Sequence, residues 1–344
     1  MTKSKLHLIY ILVVIASFCI GLGFFPTIDY LFPTKTTAGI SPLRESNLSD
    51  NPYKLIDPLL AISRPENTTS EQYVTLKDSI NSFLNSEIKK NNLEIASFYL
   101  REQNTAKGFD INPEEKYSPA SLIKVPIMMA YFKLAEKNPS ILSKTIWYSD
   151  GYNLNLEKSI PASMELQKNK VYSIMDLIQY MIKYSDNNAY NLLVNNLNDT
   201  NQYDSVGNLF SELGISGIRF DTDYVNINSY SLFFRVLYNS TYLNREMSEK
   251  ALDIMTETDF TKGIRVGVPN NILIAQKFGE FTTKSALGVV LKRELHNCGI
   301  IYYPEHPYIM CVMTKGKDFN QLENVISSIS KMVFQYTKKY IAIE

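Results

Sequence analysis

The 344-residue chain has few histidines (three), few cysteines (three) and one tryptophan, and its 35 basic residues are balanced by 35 acidic ones. Each scarcity narrows the range of functions. With no net charge and no long basic run, nucleic acid and anionic surfaces are disfavoured as main ligands. Neither C-x-x-C nor H-E-x-x-H occurs, so a metal centre has little support and no cofactor is expected. A serine-histidine-acid triad needs an imidazole base. His7 lies in an apolar run, His306 in a turn, and only His296 is left. G-x-S-x-G is also missing, which argues against an α/β-hydrolase. Cys298 and Cys311 flank "GIIYYPEHPY", which reads as two strands joined by a Pro-bounded turn. Pairing them as a tight hairpin puts Ile300 opposite Cys311, so two buried thiols are expected, with a disulfide as the alternative.

Residues 6–25, "LHLIYILVVIASFCIGLGFF", are long and apolar enough to cross a bilayer as a helix. Lys3 and Lys5 precede this run, so residues 1–5 are expected in the cytoplasm and the rest outside. No A-x-A-like site follows, which favours a signal anchor in the cell membrane over a cleaved, secreted form. Residues 26–72 contain Pro26, Pro33, Pro42, Pro52, Pro58 and Pro65 among many Ser, Thr and Asn, the composition of an extracytoplasmic stalk. Within it "YKLIDPLLAI" is apolar enough to dock on the domain expected at 73–344.

That domain opens with helical spacing at Leu76, Ile80, Phe83, Leu84 and Ile88, then strands at "LEIASFYL" and "AKGFDI". An apolar helix-like segment runs from Ser118 to about Glu136. Ser173 and Asp176 form a capping-box start for a helix with apolar positions Ile174, Leu177, Ile178, Met181 and Ile182. Strands at "ILIAQKF" and around Cys298 to Met313 precede a closing amphipathic helix from Leu322 to Tyr336. This order predicts an α+β fold, with an antiparallel sheet assembled from both ends of the domain and a helical insert between them.

A lysine can replace histidine as the base when it lies against a serine and its basicity is lowered. In "YSPASLIKVP", Ser118 is read as an N-cap and Pro119 as the first helical residue, so Ser121 and Lys124 share a helix face near an N-terminus. Pro126 is expected to bend the helix. Spacing alone is weak: Ser86 with Lys89 and Ser328 with Lys331 repeat it inside amphipathic helices, as ordinary surface residues. The triplet Ser-Asp-Asn also occurs twice. At Ser49 it lies in the stalk, where turn chemistry explains it, whereas Ser185, Asp186 and Asn187 stand between two amphipathic helices. In "QKFGE", Lys277, Phe278 and Gly279 are read as the end of an apolar strand, with a glycine that lets a ligand backbone come close.

Together and in this order, the three elements resemble the serine penicillin-recognising enzymes, particularly the class A β-lactamase type, over about residues 73–340. The resemblance implies a three-layer α/β/α sandwich. It implies that Ser121 is the acylated nucleophile, Lys124 its proton acceptor and Ser185 a proton relay to the leaving nitrogen. Asn187 would hold the substrate amide and Asp186 brace the loop. Lys277 would attract the substrate carboxylate and help keep Lys124 neutral. The backbone N–H groups of Ser121 and Glu280 would form the oxyanion hole, with Gly279 and the residue at 278 in the substrate site. Two departures stand out. Phe278 replaces the hydroxyl residue of the family's K-T-G, and Thr222, four residues before Asn226, stands where the family has its deacylating glutamate, with Asp221 or Asp223 as substitutes. Three functions follow: a membrane-anchored β-lactam hydrolase, a D-alanyl-D-alanine carboxypeptidase-like enzyme acting on peptidoglycan peptides, or a non-catalytic wall-binding domain. A β-lactam or a stem peptide is the expected small-molecule partner, and no protein partner is implied.

Overall fold

The computed structural model describes residues 43–47, 52–61, 71–202, 204–215 and 225–341. The expected membrane helix at 6–25, most of the stalk, and Asp221, Thr222 and Asp223 lie outside these residues. Among the described residues, no helix is long and apolar enough to cross a membrane.

In chain order, the strands are β1 (Leu43–Arg44), β2 (Leu59–Ala61), β3 (Ile95–Glu102), β4 (Gly108–Ile111), β5 (Thr145–Tyr148), β6 (Lys170–Ser173), β7 (Ile274–Lys284), β8 (Val290–Ile301) and β9 (Tyr308–Gly316). The α-helices are α1 (Val74–Lys89), α2 (Lys124–Lys137), α3 (Ile174–Lys183), α4 (Asn187–Asp199), α5 (Asp204–Glu212), α6 (Ile227–Tyr238), α7 (Arg245–Thr256) and α8 (Phe319–Tyr336). Five strands form one antiparallel sheet in the order β4-β3-β9-β8-β7, so both ends of the domain build it and the helical insert lies between.

Alternation along β9 accounts for the layers. Ile309, Cys311 and Met313 join one buried cluster, while Met310 and Val312 join another. A sheet apolar on both faces needs a cover on each. Helices α1 and α8 cover one face, and α8 buries Leu322, Val325, Ile326, Ile329 and Val333 there. The insert covers the other. Its central helix α2 is buried all round from Val125 to Phe132, which is why its sequence shows no polar stripe. The capping box of α3 forms as expected, with Ser173 accepting from the Asp176 N–H and Asp176 accepting from the Ser173 N–H.

Four readings of the sequence need correction. First, the compact unit begins before residue 73: the "YKLIDPLLAI" stretch docks on the domain as expected, with Leu55 and Ile56 entering the core and the Glu249 carboxylate accepting from the N–H groups of Lys54, Leu55 and Ile56. Second, β7 does not end at Gly279 but continues to Lys284, so Lys277, Phe278 and Gly279 lie in mid-strand. Third, the α2 segment starts with a 3-10 turn, Ala120–Ile123, and Pro126 is only the third residue of the α-helix, where little helical bonding is lost. Fourth, Cys298 rather than Ile300 faces Cys311. The loop 302–307, with Pro304 and Pro307, is longer than a tight turn, so Ile301 pairs with Tyr308 and the register moves by two. The two cysteines, 4.0 Å apart at Cα, form a disulfide instead of the expected free thiols.

A disulfide that closes a short loop constrains the unfolded chain. Replacing both Cys298 and Cys311 with alanine should therefore lower the stability of the domain by about 2–3 kcal/mol in urea denaturation.

Candidate active site

The approach to Ser121 is fixed from below. Tyr117 is fully buried, its hydroxyl lies 3.0 Å from Ser97 Oγ, and its backbone bridges to Val225. The Ser118 N–H donates to Glu294 Oε2 at 2.9 Å, and His296 Nε2 lies 3.1 Å from the Ser118 carbonyl. Ser118 is thus tied to strand β8 and does not cap the helix. The Glu294 carboxyl is held down to about 2: its bonds to His296, Lys292 and the Ser118 amide outweigh the burial that would raise it. Ala120 then takes φ of 47°, a left-handed conformation that strains an alanine. In the 3-10 turn that follows, residues three apart eclipse one another, which puts Ser121 and Lys124 on one edge. Both line a cleft of about 700 Å³.

The second wall is the loop between α3 and α4. Ser185 has φ of 53°, so the chain turns sharply there. Asp186, fully buried, caps α4 through Oδ1, which accepts from the Ala189 N–H at 2.8 Å. Its Oδ2 accepts from Asn155 Nδ2 at 2.9 Å and from the Leu166 N–H at 3.1 Å. Asn155 Oδ1 in turn accepts from the Asn187 N–H at 2.7 Å. A buried carboxylate with three donors is well satisfied, and it sets the loop's position.

Three lysines meet at this loop. Lys124 Nζ donates to the Ser185 carbonyl at 2.7 Å, to Ser185 Oγ at 3.2 Å and to Asn187 Oδ1 at 2.7 Å. Lys277 Nζ donates to Ser185 Oγ at 2.9 Å and to the Phe278 carbonyl at 3.1 Å. Lys158 Nζ donates to the carbonyls of Tyr184 and Ser185 at 3.0 and 3.2 Å. Burial, with the nearby charges of Lys277 and Lys158, holds the Lys124 amine well below the usual lysine range, against the pull of Asp186 and Glu280. The same causes, burial and then Lys158, lower Lys277 to about 7. Ser121 Oγ makes no hydrogen bond to Lys124, although both face the cleft.

Strand β7 forms the third side. A Cβ on Gly279 would lie 3.0 Å from Leu122 Cγ, 3.1 Å from the Leu122 nitrogen and 3.2 Å from the Ser121 nitrogen. The glycine therefore also lets β7 pass close to the protein's own 3-10 turn, a constraint the sequence reading did not include. Phe278 lines the cleft while its ring stacks on Phe260 with ring centroids 4.0 Å apart, and a phenylalanine brings no hydroxyl there. The Glu280 side chain crosses to the opposite wall, where Oε1 accepts from the N–H groups of Ser159 and Ile160 at 3.0 and 2.8 Å.

Ser121, Lys124, Ser185, Asn187, Phe278 and Glu280 line one cleft, with Lys277 buried behind Ser185 and Asp186 beneath the loop. Asn226 caps α6, its Oδ1 accepting from the Ser229 N–H. Lys158, Asn155 and the Glu280 carboxylate escaped the sequence reading. Lys158 and Asn155 lie in stretches without periodicity or motif, Glu280 was read only for its backbone N–H, and only tertiary packing brings these side chains to the site. Among the described residues, no cluster of metal-ligating side chains occurs. Replacing Asp186 with alanine strands three buried donors and removes a cap, so a loss of about 3 kcal/mol is expected in chemical denaturation.

Solved structures share this arrangement of elements. The structure of PBP-A superposes with a TM-score of 0.62 at 19% identity, covering 77% of this chain and 97% of that one. TLA-3 extended-spectrum β-lactamase gives 0.64 at 18%, covering 76% and 99%. A class A β-lactamase from Mycobacterium abscessus gives 0.61 at 17%, covering 74% and 98%. At these identities the likeness is one of fold. No curated protein matches the chain. The sequence profile of the β-lactamase enzyme family matches residues 75–337, most of the domain and all three chemical elements, and on that match the chain belongs to the β-lactamase enzyme family.

Proposed function

We propose that the protein is a serine hydrolase that forms an acyl-enzyme on Ser121 with β-lactams or peptidoglycan stem peptides, and that it releases the acyl group slowly. The reading rests chiefly on Ser185 Oγ lying 3.2 Å from Lys124 Nζ and 2.9 Å from Lys277 Nζ, two buried amines that burial makes poor proton holders. Neutral Lys124 takes the Ser121 hydroxyl proton as Oγ bonds to the substrate carbonyl carbon. That proton passes through Ser185 to the leaving nitrogen as the C–N bond breaks. Asn187, already bonded to Lys124, is placed to hold the substrate amide. The backbone N–H groups of Ser121 and Glu280 are assigned to the oxyanion.

Slow release is supported by the cleft itself. The carboxylates among its described lining residues are Glu157 and Glu280, and the latter is engaged with the amides of Ser159 and Ile160. With Phe278 in place of a hydroxyl residue, this favours a penicillin-binding, carboxypeptidase-like enzyme over a fast β-lactamase. A solved PBP-A variant is an acyl-enzyme complex with penicillin G, and that relative's chemistry is what we extend to this chain. We further assign the protein to the outer face of the cell membrane, on the strength of the apolar run at 6–25.

Incubation of the full chain with a fluorescent penicillin should label Ser121 durably, with turnover of a chromogenic cephalosporin slower than labelling. Ser121→Ala should abolish both signals; labelling that survives this change would remove the reading. The pH profile carries a second test. Acylation needs Lys124 neutral and Lys277 charged, so it should rise from acid pH and fall again as Lys277 loses its proton through about pH 7. Lys277→Arg keeps the charge at all accessible pH values, and the alkaline fall should move up by at least about two pH units.

A further inference from the structure

Residues 155–166 form an Ω-shaped loop whose two feet share one acceptor: Asn155 Nδ2 and the Leu166 N–H both donate to Asp186 Oδ2. Between the feet, the chain leans from the Ser185 wall across to strand β7. Lys158 Nζ donates to the carbonyls of Tyr184 and Ser185, the Ser159 and Ile160 N–H groups donate to Glu280 Oε1, and the Ser163 N–H donates to Asp259 Oδ2 at 2.8 Å. Ile160 packs against the cluster that holds Phe260 and Phe278. Ser159, Pro161 and Ser163 are exposed on the outside of the loop, whereas Lys277 is fully buried and Ser185 is 1% exposed. The two ends of the cleft therefore differ. Ser185, which passes the proton to the leaving nitrogen in the proposed reaction, marks the leaving-group end, and Lys158 ties the loop to that residue. The other end runs along β7 to Phe281, Thr282 and Lys284, which are exposed or half-buried. Strand β7 is an edge of the five-stranded sheet, so this stretch can pair with an extended chain.

We infer that the 155–166 loop is a strap, latched by Glu280 and Asp259, that limits the size of the leaving group, so that the site takes peptides with an extended acyl side and a single residue beyond the scissile bond. A chain that continued past that residue would run into the strap, and a steric clash of this kind is an effective way to reject a ligand. Lys158 and Lys277 stand at the closed end, which suits the terminal carboxylate of a last residue. Burial raises the Glu280 carboxyl, but the latch does not depend on its charge: ionised or neutral, the acid offers an oxygen to the two amides. This role deepens the acyl-enzyme reading and rests on it only for which end of the cleft takes the leaving group.

The test separates binding from acylation. In the full chain carrying Ser121→Ala, the affinities of N-acetyl-L-lysyl-D-alanyl-D-alanine and of the same peptide extended by two glycines are measured by calorimetry or ligand-observed NMR. The shorter peptide should bind about tenfold more tightly or better. Adding Glu280→Ala and Asp259→Ala together should bring the two affinities within about threefold of each other. The same pair of changes should speed hydrogen exchange of the Ser159, Ile160 and Ser163 amides by about tenfold or more. Glu280→Gln alone, which keeps an acceptor for two of those amides, should keep the discrimination. If the double variant fails to fold, Glu280→Ala alone, which frees the Ser159 and Ile160 amides, carries the same test. Equal affinities in the parent, no measurable binding of either peptide, or a latch variant in which the ratio or the amide exchange stays put overturns the inference. Labelling of Ser121 by a fluorophosphonate in the unsubstituted chain reports separately on the acyl-enzyme reading. If labelling fails while the ratio shifts, that reading falls and the strap stands.

Discussion

The site depends on the convergence of three lysine side chains on one residue, Ser185, inside a largely buried wall. Amines in such a place cannot all keep a full charge, because burial disfavours the ammonium form and each charge opposes the next. The neighbouring arrangement answers that constraint. Every lysine donates to carbonyl, hydroxyl or amide oxygens around Ser185, and Asp186, Asp259 and Glu280 offset part of the repulsion. A buried, lowered amine next to a serine is also what a proton acceptor requires, so the same packing that strains the electrostatics prepares the chemistry.

Rigidity of the walls follows from the same requirement. If Ser185 shifted, Lys124 would lose bonds to its carbonyl and Oγ, and Lys277 one to Oγ, so the loop is pinned by Asp186, Asn155 and the cap of α4. On the other side, strand β7 runs so close to the 3-10 turn that a side chain at 279 would press on the backbone of Ser121 and Leu122. The left-handed Ala120 is the local strain that remains, and it sits next to the residue proposed as the nucleophile, where such strain tends to be retained.

Much of this was legible before any coordinates. The S-x-x-K spacing, the second Ser-Asp-Asn and the K-x-G element each meant little alone, as the duplicates at Ser49, Ser86 and Ser328 show; their order between amphipathic helices and a strand was the informative feature. Helix α3 could be read closely, because its period and capping box are local properties of the chain. The hairpin register could not. Which residue faces Cys311 depends on how many residues the loop at 302–307 takes up, and a tight turn was the wrong premise. The start of α2 was misplaced for a similar reason, since Ser118 spends its N–H on Glu294, a residue far along the chain.

By itself the sequence determined the family, the α+β class, the sheet drawn from both ends of the domain, and which serines, lysines and asparagine could take part in chemistry, because motifs, periodicity and capping are written in near neighbours. Only the tertiary structure decided that Lys158 joins the cluster, that Phe278 turns onto Phe260, that Gly279 serves the protein's own turn, and that Glu280 reaches across to Ser159 and Ile160. Those outcomes depend on which surfaces pack together and which buried polar atoms still need partners, and such conditions arise only once distant segments have been brought into contact.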